Sequence, residues 1–137
     1  MGYRRKAREC ALQMLFQIDM TGEGQESVRE AYWKENPAPA PIRSYADRIV
    51  RGTVRDLGRI DSLLGEAAEH WRLDRMARVD RSVLRTAVYE FLHEPHTPKK
   101  VVINEAIEVA KRFGAAESPA FVNGVLDRAA TELGRTG

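Results

Sequence analysis

The chain has 137 residues, 43% of them hydrophobic, which suffices for one compact domain or two small bundles sharing a core. Its 22 basic and 20 acidic residues nearly cancel, so a uniformly basic coat that grips any polyanion is excluded and local charge clusters must decide function. The single cysteine, Cys10, excludes an internal disulfide framework; the start Met1-Gly-Tyr-Arg-Arg-Lys lacks a signal peptide's apolar stretch and no apolar run approaches the roughly 18 residues of a membrane span, so a soluble cytoplasmic protein is expected.

Ala7, Cys10, Ala11, Met14, Leu15 and Ile18 recur at three- and four-residue spacing and predict a helix over Tyr3–Met20, ended by Thr21-Gly-Glu-Gly24. A weaker helix from Ser27, its N-cap, to about Asn36 buries Val28, Ala31 and Tyr32, and the proline-rich stretch Pro37 to Pro41 stops helix formation. From Ser44, the pattern Tyr45, Ile49, Val50, Val54, Leu57 marks a third helix; Gly58 breaks or kinks it before Asp61 caps a fourth through Leu63, Leu64 and Ala67, and Trp71 and Leu73 close the segment. A fifth helix begins near Asp80, buries Leu84, Ala87, Val88 and Phe91, and ends before the prolines of His93-Glu-Pro-His-Thr-Pro98. The sixth buries Ile103, Ala106, Ile107 and Ala110 and stops at Gly114, expected in the left-handed conformation, with Lys111 and Arg112 facing the negative end of the dipole. The seventh takes Ser118 as N-cap and Pro119 in its first turn, buries Val125, Leu126 and Ala129, and leaves a tail beyond Leu133 expected to fray. No alternating strand pattern occurs. The expected fold is all-α, about seven helices, as a single domain 1–137 with a helical unit at about 1–36, a linker at 37–41 and a larger unit at about 42–133.

Four cations, Arg4, Arg5, Lys6 and Arg8, crowd the first turns of the first helix, with only Glu9 to offset them. They read either as a solvated arm or as a phosphate-binding tip; because cations at a helix N-terminus oppose the macrodipole, the placement leans toward a bound polyanion. Gln13 and Phe16 lie one to two turns further on, off the centre of the apolar stripe, and Phe16 is either a platform for stacked bases or packing against the second helix. Phe121 is either core or a surface ring beside the N-terminus of the seventh helix, behind Glu117. The mixed-charge segment from Leu73 to Arg81 reads as a partner-facing or simply solvated surface. His93 and His96 lack a third ligand in reach, Cys10 reads as a core thiol, and no nucleophile, phosphate-cradling glycine loop or metal set points to catalysis, so neither a cofactor nor an enzymatic role is expected.

Three ordered stretches, Arg4-Arg-Lys-Ala-Arg-Glu-Cys-Ala-Leu-Gln13, Asp80-Arg-Ser-Val-Leu-Arg-Thr-Ala-Val-Tyr-Glu90 and Val101 to Asp127, resemble the NusB family of bacterial transcription antitermination factors; residues 22–41 match weakly. The resemblance implies two small packed helical bundles. It implies pairing with NusE, a small-subunit ribosomal protein, binding of single-stranded boxA RNA, and participation in an RNA polymerase complex that reads through terminators, chiefly in ribosomal RNA operons. Carried over by motif, RNA contacts fall on Arg4, Arg5, Lys6, Arg8, Gln13, Phe16 and Phe121, with Glu117 moderating affinity, and the partner surface on Asp74, Asp80 and Arg81. Position 16 is often tyrosine in such motifs, so stacking survives here without the hydroxyl. Two alternatives accompany the resemblance. One is a domain of an RNA cytosine methyltransferase, whose methyl-donor loop and cysteine pair this sequence lacks; the other is a homodimer that buries the basic surface as a storage state.

Overall fold

The computed structural model describes residues 2–69 and 71–137. Among them stand seven α-helices, α1 (Gly2–Thr21), α2 (Gln25–Glu35), α3 (Ala40–Arg55), α4 (Leu57–Ala67), α5 (Arg78–His93), α6 (Lys99–Phe113) and α7 (Ser118–Glu132), with one turn of 3-10 helix at Leu73–Arg75. The fold is all-α, as the periodicities predict. Helices α1, α2 and α3 pack on one another, α4 to α7 form a second bundle, and α5 joins the two by lying against α1 and α3 as well as α4, α6 and α7. A single cluster of buried side chains runs through both, with Met14 from α1, Ile49 from α3, Leu84 and Val88 from α5, Val102 from α6 and Leu126 from α7 fully buried. Each such side chain contributes about 1.5–3 kcal/mol by leaving water.

The division between bundles falls at Asp56, the residue between α3 and α4, and not at the 37–41 stretch, because α3 packs chiefly on α1. Pro41 does not stop a helix; it sits in the first turn of α3, where a missing N–H breaks no hydrogen bond. Gly58 likewise lies inside the first turn of α4, and Asp61 does not cap but accepts a double hydrogen bond from Arg85, at 2.9 and 2.9 Å. Helix α2 starts after Gly24 without a side-chain cap, so Ser27 is not its N-cap, and Ala31 is exposed while Val28 is buried.

Two glycines owe their place to close approach. A Cβ on Gly52 would overlap the Tyr89 ring, so its absence lets α3 lie tightly on α5. Gly114 is extended (φ −98°, ψ −170°), not left-handed, and a Cβ there would stand 2.7 Å from Ser118 Oγ and 2.8 Å from the Ala110 carbonyl oxygen. Ser118 is the first residue of α7 and not its cap: it is buried and its Oγ accepts the Ala115 N–H at 3.0 Å, which sets the turn between α6 and α7. The tail does not fray after Leu133. Arg135 donates to the carbonyl oxygens of Phe91, at 2.6 Å, and Thr97, and Lys99 N–H donates to the Thr136 carbonyl at 3.1 Å, tying the chain end across the loop after α5.

Candidate nucleic-acid interface

The first turn of α1 carries no acidic residue, and its helical spacing sends the cations to different places. Arg8 turns inward. Its side chain is 6% exposed and donates twice to Glu90, at 2.8 and 2.8 Å, and once to Glu105 at 3.4 Å, while the Tyr45 hydroxyl donates to Glu90 at 2.9 Å. Burial first, then the Glu90 charge, raises the Tyr45 pKa, so the hydroxyl stays a donor. Arg8 therefore holds α1 onto α5 and α6, and the structure corrects the expectation that its guanidinium faces RNA. Arg5 is half-exposed and grips Glu105 through two bonds of 2.9 and 2.6 Å. Arg4 lies over the Tyr45 ring, 5.0 Å from its centroid, and Arg48 occupies the same distance from that ring. Lys6 is exposed with no ion pair among the described residues. What remains for an external anion is Arg4, Lys6 and the open side of Arg5.

Further along the same helix, Gln13, Phe16 and Met20 line a groove of about 500 Å³ with Tyr32 of α2, Val79 of α5 and Phe113 of α6. Phe16 is half-buried there and Gln13 is steadied by its hydrogen bond to the Glu9 carbonyl at 3.3 Å. Arg112 reaches back to Glu9 at 2.9 Å, tying α6 to this stretch of α1. Replacing Phe16 by alanine is expected to weaken RNA binding about tenfold, the scale of one base stack, with the melting temperature within a few degrees of wild type because the ring only edges the groove. Fluorescence anisotropy with thermal denaturation checks this, and a large loss of stability would make the ring structural.

The N-terminus of α7 carries the second aromatic. Val122 is fully buried, whereas Phe121 is half-buried, packs against the core and meets Trp71 edge to face, centroids 5.6 Å apart and planes at 75°. Glu117 is exposed beside it, at the cap position. Phe121 is thus both packed and partly accessible, where periodicity alone had allowed either.

The residues expected to face a protein partner separate as clearly. Asp74 is on the surface, with its side chain 64% exposed, paired with Arg72 at 3.0 Å. Asp80 and Arg81 are buried, which corrects their assignment to a contact surface. Arg81 donates to the Leu73 carbonyl at 2.8 Å and to Asp19 at 2.6 Å, and so fastens the 3-10 turn and α5 to α1. Burial alone would raise the Asp19 pKa, but the hydrogen bond from Arg81 and the charges of Arg85 and Arg78 hold it below the usual carboxylate range. The hydrogen bond from Arg5 does the same for Glu105 against its burial. Groups depressed in the folded state contribute stability that is full above the unfolded carboxylate range of about 3.9–4.3 and is lost as pH falls through their folded values. Urea midpoints are therefore expected to be flat from pH 7 to about 5 and to fall below it, and Glu105→Gln to shallow that acid slope.

Sequence reasoning missed Glu90 and Glu105 as counter-ions. The available signal was their register: Glu90 lies three residues after Ala87, and Glu105 three after Val102 and four before Val109, on the buried stripes of α5 and α6. A charge on a core face requires a buried partner. Cys10 is a buried free thiol, no group of three or more His, Cys, Asp or Glu among the described residues could hold a metal, and no helix among them is long and apolar enough to cross a membrane.

The same helical fold recurs among known proteins. Transcription antitermination protein NusB of Sorangium cellulosum is 48% identical over 135 residues, spanning 98% of this chain and 96% of that one. Its counterpart in Geobacter sulfurreducens is 48% identical over 134 residues, spanning 97% of each. Among solved structures, T. maritima NusB superposes with a TM-score of 0.87 at 42% identity over 94% of this chain and 91% of that one. A structure of antitermination factors NusB and NusE in complex with dsRNA gives 0.88 at 28% identity, covering 96% and 98%. A model of the NusB family matches residues 5–131, and the chain belongs to that family.

Proposed function

We propose that this chain is an RNA-binding transcription antitermination factor that, with a NusE-type ribosomal protein, binds boxA-like single-stranded RNA in the cytoplasm and supports read-through by RNA polymerase, chiefly in ribosomal RNA operons. The observation that carries the reading is the pairing, in a NusB-family chain, of an exposed cationic tip at Arg4, Lys6 and the open side of Arg5 with an aromatic groove further along the same helix. The tip supplies phosphate contacts, which set affinity and its salt dependence; Gln13, Phe16 and Phe121 supply stacking and base edges. Glu117 repels phosphate beside Phe121 and so moderates affinity. The partner surface centres on Asp74, with Asp80 and Arg81 shaping it from beneath. The protein acts through these surfaces and performs no covalent chemistry.

A gel-shift titration with a boxA-like RNA, with and without the ribosomal protein, against a scrambled RNA at fixed salt tests this. Preferential binding of the boxA-like strand, tightened by the protein partner, is expected; equal affinity for both RNAs in both conditions overturns it.

A further inference from the structure

Of the two tryptophans, only one has a structural occupation. Trp33 donates its indole N–H to Asp47 at 2.9 Å, meets Tyr32 edge to face at 5.1 Å and lies under Arg43. Trp71 has a side chain among the largest apolar groups of the chain, yet it is 54% exposed, and its indole N–H has no hydrogen-bond partner among the described residues. Among the described residues its one ring contact is Phe121. The backbone nonetheless fixes it: Trp71 N–H donates to the Ala68 carbonyl at 3.1 Å, across a turn in which Glu69 adopts φ +43°, a conformation that a non-glycine residue takes at a cost. The main chain beneath the indole is thus held, and the ring itself rests edge to face on Phe121.

We propose that Trp71 is a base-stacking residue that extends the RNA path past Phe121, taking one unpaired base on its solvent-facing ring surface. Two features on the page favour RNA over a protein as the occupant. The first is contact: the Trp71 ring meets Phe121 edge to face, centroids 5.6 Å apart, so it adjoins a residue of the RNA site proposed above. The second is charge. Arg72 and Arg75 follow Trp71 closely in the chain; Arg75 is exposed without an ion pair among the described residues, and Arg72 shares only a surface pair with Asp74 in which both side chains are more than half exposed. Aromatic rings bordered by arginines suit a strand whose bases stack while its phosphates are neutralised. The inference rests on the RNA-binding reading above and adds a contact to it.

The test uses the full chain with Trp33→Phe, which leaves Trp71 as the only indole, titrated with single-stranded boxA-like RNA carrying a dye for anisotropy. Saturation of the RNA with parallel quenching of Trp71 emission is expected. In the wild-type background, Trp71→Ala is expected to weaken RNA binding by about tenfold and Trp71→Phe by much less, since a ring is retained. Saturation with unchanged Trp71 emission overturns the proposal, whether or not Trp71→Ala folds. Quenching with wild-type affinity in Trp71→Ala also overturns it, assigning the contact to Phe121. Loss of ribosomal-protein binding with RNA affinity intact makes the indole a protein-docking residue and overturns it too. Failure of the wild-type chain to bind any RNA is a different result, and removes the functional reading itself.

Discussion

Arg8→Ala is expected to lower the unfolding free energy by about 3–5 kcal/mol, the cost of stripping one partner from a buried ion pair, and the melting temperature by roughly 10–15 °C for a domain of this size. The reason lies with what is left behind. Glu90, 3% exposed, would keep only the Tyr45 hydroxyl as a donor, and a carboxylate in that position is stable only with its guanidinium. Arg8→Met combined with Glu90→Gln is expected to recover much of the loss, because the amide oxygen still accepts from Tyr45 and no charge remains unpaired; the sum of the single costs should exceed the double. Urea unfolding of the wild type, Arg8→Ala, Arg8→Met, Glu90→Gln and the double variant measures this. The same series separates a scaffolding arginine from an RNA-contacting one. Below its transition, Arg8→Ala should bind RNA with the wild-type salt dependence. Intact stability together with a slope flattened by about 0.7 would instead put Arg8 on a phosphate.

The contrast between Arg8 and its neighbours shows what a sequence pattern carries and what it loses. Apolar periodicity located all seven helices, since a stripe of Ala7, Cys10, Ala11 and Met14 has one physical solution on a helix, which is burial. Periodicity assigns every charged residue to solvent by default, and there it fails. The partner of Arg8 is 82 residues away, and that of Arg81, Asp19, is 62 away, so no local window contains the pair. Helix ends were misplaced for a related reason. Pro41 and Gly58 read as breaks in the sequence, but both fall in first turns, where neither residue disturbs a hydrogen bond, and the real break at Asp56 carries no distinctive residue type. Gly114 was located correctly and explained wrongly: what it supplies is absence of bulk against Ser118, a contact between two helices, and not backbone freedom. The candidate interface was readable in outline because exposed cations and a flanking aromatic are local features. Which of the four cations is free depends on Glu90 and Glu105, and those are contributed by the opposite bundle.

Arg4 and Lys6 should behave in the opposite manner to Arg8. Exchanging both for glutamine is expected to flatten the dependence of log affinity on log salt by about 1.4, two contacts at roughly 0.7 each for a single strand. The deficit should be greatest at low salt and shrink as salt rises, by about sevenfold over a fourfold increase in concentration, on the same slope. Stability should move the other way or not at all. Lys6 is exposed and lies just past the first turn of α1, where a cation gains nothing from the helix dipole, so Lys6→Gln alone is expected to be neutral or slightly stabilising. Arg4 gives back part of that gain through its contact with the Tyr45 ring. Arg5 occupies the middle ground: with Glu105 holding two of its donors, Arg5→Gln should change the slope by less than either neighbour while lowering stability more. A variant that binds RNA less well and unfolds no more easily can only have lost an external partner. Equal losses in affinity and stability at Arg4 and Lys6 would mean that the tip is part of the fold, and the polyanion must then be sought along the groove.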